Sequence, residues 1–173
     1  MDKLKFYEVS KDYLNFLRKY DPKVPNQDYK KNKKFFCGIV LKINRYNYFV
    51  PVSHFTTPQH TNYIIKKDKK PISSLRFCFM IPVPNDDSIL TYKDFSNETN
   101  INYVKLLDIE LTECRNNVEE IKKIALKTYK IGCNDKHPLN KTCCSFSKLE
   151  EVMDMYVREK VNVKTIEESI IKK

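Results

Sequence analysis

Glycine is almost absent from this chain. There are two in 173 residues, Gly38 and Gly132. Loops that wrap phosphates with backbone amides need closely spaced glycines, so neither a P-loop nor a dinucleotide-binding turn can be written here. No apolar run approaches the ~20 residues of a membrane-spanning helix, and the start, Met1-Asp2-Lys3-Leu4-Lys5, lacks the apolar stretch of an export signal. The six cysteines (Cys37, Cys78, Cys114, Cys133, Cys143, Cys144) include no CxxC pair. They read as reduced thiols filling small core spaces in a cytoplasmic protein. A zinc set of Cys133, His137, Cys143 and Cys144 would need two adjacent cysteines as tetrahedral ligands, a poor geometry, so no metal or other cofactor is expected. Carboxylates do not cluster either. Asp86-Asp87 sits in a turn, and Asp108 and Glu110, two apart on a predicted helix, diverge, which disfavours a two-metal nuclease.

Positive charge and aromatic rings are in excess. Lys and Arg number 32 against 22 Asp and Glu, a formal net charge of +10, and eleven Tyr and ten Phe interleave with the cations, as in Lys5-Phe6-Tyr7 and Lys34-Phe35-Phe36. Cations neutralise phosphates while ring faces stack on unpaired bases, so a polyanion partner is expected. The competing reading is a lysine-rich surface over an aromatic core. With 41% hydrophobic residues the chain has enough apolar material to fold as one domain.

Periodicity places the elements. Lys5–Val9 alternates like a strand, Ser10 is a helix cap, and Tyr13, Leu14, Leu17 and Tyr20 recur at helical spacing until Asp21-Pro22. Phe35–Ile43 and Tyr46–Val52 form a hairpin about Asn44-Arg45, and Tyr63–Ile65 and Leu75–Ile81 supply further strands. Residues 101–131 are helical with a break at Asn116-Asn117. Gly132–Thr142 is a loop. Ser147-Lys148-Leu149-Glu150 has capping-box spacing and opens a last helix to about Val157. The expected architecture is α+β: a strongly twisted antiparallel sheet with helices around it, in one domain over residues 1–160. Residues 161–173 form a C-terminal extension, either a short helix or a tail.

Chemistry concentrates between Lys30 and His54. A lysine-rich loop (Tyr29-Lys30-Lys31-Asn32-Lys33-Lys34) leads into the hairpin, which ends at Pro51-Val52-Ser53-His54. Cations, a hydroxyl and an imidazole beside one sheet edge suit a phosphodiester. RNA is the first candidate because its 2′-hydroxyl can be the nucleophile.

Ordered blocks add a resemblance. Lys5-Phe6-Tyr7-Glu8-Val9-Ser10 with Tyr13, Lys23-Val24-Pro25-Asn26, Gly38-Ile39-Val40-Leu41, Tyr48-Phe49-Val50-Pro51-Val52-Ser53, Phe79-Met80-Ile81-Pro82 and Cys144-Ser145-Phe146-Ser147-Lys148-Leu149 follow the order of the AbiQ/ToxN family. These are endoribonuclease toxins of type III toxin–antitoxin and phage abortive-infection systems. The resemblance implies a Kid/MazF-like partial barrel and metal-independent, sequence-selective RNA cleavage. It also implies inhibition by a small repeated antitoxin RNA of pseudoknot type, which the toxin processes. Cellular or phage RNA is the other partner. Protein and antitoxin RNA would join in a closed oligomer, the protein alone being monomeric.

Carried over by position, Ser53 matches the family's hydroxyl residue, Lys34 a basic pocket residue and Tyr13 a pocket tyrosine on the first helix. Two departures stand out: His54 follows the hydroxyl residue where relatives have a second small hydroxyl, and Thr56 stands in place of a lysine. Ser53, Lys34, Tyr13 and His54 are therefore the candidate catalytic set. RNA contacts are expected from Tyr29, Lys30, Lys31, Lys33, Lys66 and Lys67, and from Ser145 and Phe146 in the last block.

Attack by the 2′-hydroxyl needs a base for its proton, cations on the nonbridging oxygens and an acid for the leaving 5′-oxygen, giving a 2′,3′-cyclic phosphate and a 5′-hydroxyl. Lys34 suits charge stabilisation, or proton transfer if crowding lowers its pKa. His54 suits proton transfer by its ordinary pKa of about 6.5. On a strand, however, it points away from Ser53. The rival readings are a non-catalytic RNA-binding module with the same basic surface and a protein–protein adaptor.

Overall fold

The computed structural model describes residues 3–27 and 33–171, so Tyr29, Lys30 and Lys31 lie outside the described residues. Strand β1 (Lys5–Val9) leads straight into α1 (Lys11–Tyr20), where Ser10 Oγ accepts from the Tyr13 amide at 3.3 Å. This is the expected cap. Asp21 closes the helix. Although only 3% exposed, its carboxylate accepts from the amides of Lys23 (3.0 Å) and Ser145 (2.7 Å), so one side chain ties the end of α1 to the start of the last helix.

The central hairpin pairs β2 (Phe36–Ile43) with β3 (Tyr46–Ser53) about a left-handed Asn44. The register shifts between Cys37 and Leu41, where Gly38 lies. A Cβ on Gly38 would come within 2.1 Å of the Phe49 ring, so a side chain there displaces that ring or the strand. The second hairpin, β4 (Asn62–Lys67) and β5 (Lys70–Arg76), turns at Asp68-Lys69, both with positive φ. Short strands β6 (Ile81–Pro82) and β7 (Leu90–Tyr92) complete a seven-stranded antiparallel sheet in the order β4-β5-β3-β2-β1-β7. The sheet is not closed. Beyond β2, β3 is shared: Tyr48 and Phe49 pair with β6, while Val52 and Ser53 pair with β5. The single strand predicted over Leu75–Ile81 is thus two, split by a 3-10 turn at Phe77–Phe79.

Helices α2 (Ile101–Asn116) and α3 (Val118–Gly132) meet at Asn117, the predicted break. Helix α4 begins at Phe146 and runs unbroken to Ile171, well past Val157. The capping box predicted at its start does not form. The Glu150 carboxylate instead accepts from the hydroxyls of Tyr48 of β3 (2.7 Å) and Tyr129 of α3 (3.0 Å), bonds that only tertiary packing supplies. Helix α4 packs on α1 and β6, α3 on β2, and α2 on β4. Five of the six cysteines are buried, and none forms a disulfide. No helix among the described residues is long and apolar enough to cross a membrane.

Candidate active site

Pleating decides which side chains meet at the end of β3. Ser53 pairs with Ser74 of β5, and Val52 with Leu75. Directly paired residues share a face, so Ser53, Ser74 and Arg76 lie on one side of the sheet while Val52, Ser73 and Leu75 lie on the other. On the opposite edge of β3, Phe36 pairs with Pro51, and the Val52 amide donates to the Phe35 carbonyl at 3.1 Å. Lys34, two residues before β2, lies close enough to Arg76 for the guanidinium charge to act on it. The hairpin and β5 together therefore build a row of Lys34, Ser53, Ser74 and Arg76 from residues distant in sequence.

The row has its own electrostatics. Burial holds the half-buried Lys34 ammonium below its ordinary pKa, and the positive charge of Arg76 pushes the same way. A lysine with this environment gives up its proton more readily than a solvated one. The Arg76 guanidinium sits over the rings of Phe55 (4.6 Å) and Phe79 (4.5 Å). Stacking restrains the planar fork that suits two phosphate oxygens at once. The chain after Ser53 is folded back by two bonds: Ser53 Oγ accepts from the Phe55 amide at 3.3 Å, and the buried Ser74 hydroxyl donates to the Phe55 carbonyl. These bonds put Phe55 beneath Arg76. The site therefore holds two cations and an accessible hydroxyl at one strand end. Among the described residues no three His, Cys, Asp or Glu side chains converge as metal ligands.

Arg76 was missed by sequence reasoning, though a signal was there. It is one of five arginines among 32 basic residues, and it sits two positions from Ser74 in an alternating run. It provides a cation near the strand end, where Thr56 leaves the chain without the expected lysine.

Other predicted site residues fall elsewhere. Tyr13 is fully buried, its hydroxyl donating to the Pro82 carbonyl at 2.7 Å and its ring edge-on to Tyr156. Its proton is committed and substrate cannot reach it. Phe146 is likewise 0% exposed, stacked on Tyr129 and edge-on to Tyr48, so no base stacks there. Both are corrected to core residues. His54 is exposed at a bend just past the end of β3, near enough to α2 for its charge to act on the buried Glu110 carboxyl. Burial raises the pKa of that carboxyl, while the Ser73 hydroxyl and the charge of His54 act to lower it.

Lys33 lies beside the site but is 68% exposed and ion-paired to Glu8 at 3.7 Å. Lys66 and Lys67 are exposed at the tip of the β4–β5 hairpin, just past Ile64, the partner of Ser74, and so roughly 7–10 Å along the strand at about 3.3 Å per residue. Ser145 is exposed at the foot of α4, with its amide held by Asp21. A second feature went unpredicted: a groove of about 1300 Å3 bordered by Lys3, Lys5, Lys42, Lys122 and Lys123, with the half-exposed Tyr92 ring in its wall. No single stretch of sequence carries that charge cluster.

Comparison with known proteins places this architecture. The chain is 28% identical to endoribonuclease ToxN of Bacillus thuringiensis subsp. kurstaki, over 90% of this chain and 85% of the relative. It is 26% identical to endoribonuclease AbiQ of Lactococcus lactis subsp. lactis, over 90% and 91%. The solved structure of AbiQ, a lactococcal anti-phage endoribonuclease, superposes with a TM-score of 0.81 at 25% identity, covering 91% of this chain and 99% of that one. A structure concerned with selective toxin inhibition by a non-coding RNA pseudoknot superposes at 0.80 with 28% identity, covering 90% and 98%. The family model for toxin ToxN of type III toxin–antitoxin systems matches residues 5–154, and the chain belongs to that family.

Proposed function

We propose that this chain is a sequence-selective endoribonuclease toxin of a type III toxin–antitoxin, phage abortive-infection system, acting in the cytoplasm. The observation that carries this reading is the Lys34–Ser53–Arg76 row at the end of β3, in a chain whose relatives are named endoribonucleases. Residues 1–160 make the nuclease domain and 161–173 the extension. The open sheet, with β3 shared between β5 and β6, supports reading it as a strongly twisted, Kid/MazF-like partial barrel.

In the mechanism, the RNA 2′-oxygen attacks the adjacent phosphorus as Lys34, in its neutral form, takes the hydroxyl proton. The P–O5′ bond breaks, water protonates the 5′-oxygen, and the products are a 2′,3′-cyclic phosphate and a 5′-hydroxyl. Arg76 holds the nonbridging oxygens as charge builds on them, and Ser53 Oγ donates to one of them. The chain's own nucleophile is not needed, and no metal takes part. The antitoxin is a repeated small RNA of pseudoknot type that the toxin processes and that closes a protein–RNA oligomer. Its backbone lies along the groove of Lys3, Lys5, Lys42, Lys122 and Lys123, with affinity that falls as salt rises because phosphate contacts release counterions.

Incubation of the purified chain with RNA in EDTA tests the reading. Cutting that persists, with cyclic-phosphate ends, is the expected result. Loss of cutting in EDTA with rescue by magnesium or manganese overturns metal independence. Gel shift without cutting indicates a binding module instead, and neither effect indicates an adaptor. Ser53→Ala should then lose cutting and toxicity but keep antitoxin binding.

A further inference from the structure

Arg76 borders more than the catalytic row. It also forms one wall of a cavity of about 420 Å3, with Gln59, His60, Thr61, Phe79 and Thr142 among the others. That volume lies in the range of about 300–1,000 Å3 in which proteins hold small ligands. Ser74 is two residues from Arg76 on the same pleat face, so the cavity opens about 7 Å from the Ser53–Ser74 pair.

The cavity wall is fixed in place. Residues 54–61, which join β3 to β4, are held by the buried Asn62, whose Oδ1 accepts from the Gln59 amide at 2.8 Å and whose Nδ2 donates to the Thr57 carbonyl at 3.0 Å. The Phe77 amide donates to the Thr61 carbonyl at 3.0 Å, and Ser74 secures Phe55. Anchoring of this kind keeps Gln59 and His60 at set positions although their side chains are exposed. Thr142, in the lining, donates to the Leu139 carbonyl at 2.7 Å and has the Cys78 thiol at 3.6 Å, so its proton is committed and its oxygen can only accept. The lining thus combines a restrained cation, a ring, and side chains able to donate and accept at one edge. Arginine planes and aromatic faces stack on bases, and an amide pairs with adjacent donor and acceptor groups of a base edge.

We propose that this cavity holds one nucleobase of the RNA beside the scissile phosphate, with Gln59 and His60 reading its edge, and that it sets the sequence preference of cleavage. The inference rests on the endoribonuclease reading and names its specificity site. Arg76 then borders both the phosphate and the base.

The test is cleavage of a randomised RNA pool by the wild-type chain, Gln59→Ala and His60→Ala, with every cut mapped by sequencing and thermal midpoints recorded alongside. Wild type should show a strong preference at one position flanking the cut. Each variant should keep the wild-type midpoint and lower that preference, as the ratio between favoured and disfavoured bases, by about tenfold. Loss of preference at that position alone supports the pocket. Cutting whose preference survives both substitutions overturns it while leaving the nuclease reading intact. A wild-type chain that cuts no RNA overturns the nuclease reading, and the pocket with it.

Discussion

Tyr13 and Phe146 on one side, and Phe55 and Phe79 on the other, are four rings of similar size with opposite fates. The first two are completely buried, with Tyr13 fastening α1 to the Pro82 carbonyl and Phe146 filling the space between α3, α4 and β3. The other two are half-buried and lie under a guanidinium. Aromatic content alone therefore says little about RNA contact. What matters is whether a ring faces the helices or the open end of the β3–β5 ladder. The same holds for lysines: Lys34 is desolvated beside Arg76, whereas Lys66 and Lys67 stand in water at a hairpin tip.

Substitutions can break that contrast, and the largest effect belongs to the core. Phe146→Ala should cost about 3–5 kcal/mol of unfolding free energy, because the cavity left between Tyr48 and Tyr129 cannot collapse fully. Denaturant unfolding reads this directly, and a loss under about 1 kcal/mol would show that the ring is not core.

On the catalytic side, Lys34→Arg keeps the charge but removes the ability to lose a proton, so cleavage should slow by about 10²–10⁴-fold. The wild-type rate should rise with pH and level off above the Lys34 pKa. Because burial and Arg76 lower that pKa, the plateau should begin below where an ordinary lysine would place it. In the arginine variant the rise should vanish. A wild-type pH profile retained by Lys34→Arg would remove Lys34 as the proton acceptor.

Arg76→Ala should slow cleavage by about 10²–10³-fold, the usual effect of removing one donor to a developing oxyanion. Single-turnover rates measure it. An unchanged rate would detach Arg76 from the reaction. His54→Ala sharpens the face argument. His54 lies on the α2 side, so its loss should cost less than about tenfold in rate, equivalent to about 1.4 kcal/mol. A larger loss would mean that the imidazole reaches the phosphate after all.

The smallest effect lies far from the site. Asp86 is held at a pKa of about 2 by hydrogen bonds from Ser88 and by Lys160 of α4, below its ordinary 3.8. A depressed carboxylate stabilises the fold above its unfolded pKa, and that contribution is lost as pH falls towards about 2. Asp86→Asn should thus lower the melting temperature slightly at pH 6, and the difference should close below pH 3.

Much of the local architecture was legible. Ser10, the Asn44-Arg45 hairpin and the break at Asn116-Asn117 are decided by side chains bonding or pleating within a few residues of themselves, so periodicity and capping rules reach them. Ser53 and Lys34 stood out as residues at the ends of two strands of one hairpin, and their proposed roles came from the family resemblance. Alternation also predicted that Ser53 and His54 diverge on a regular strand.

Tertiary structure decided the rest. Whether Tyr13 and Phe146 were pocket or core depended on α4 and α3 lying over them, and the capping box at Ser147 gave way because Tyr48 and Tyr129 claim Glu150. Arg76 enters the row only because β5 pairs with the last two residues of β3, more than twenty positions away. Contacts between strands distant in sequence leave no short-range pattern. The chain by itself determined most of its elements, its charge and one half of the proposed site. The pairing of β3 with β5 supplied the second cation, the rings beneath it and the cavity beside it.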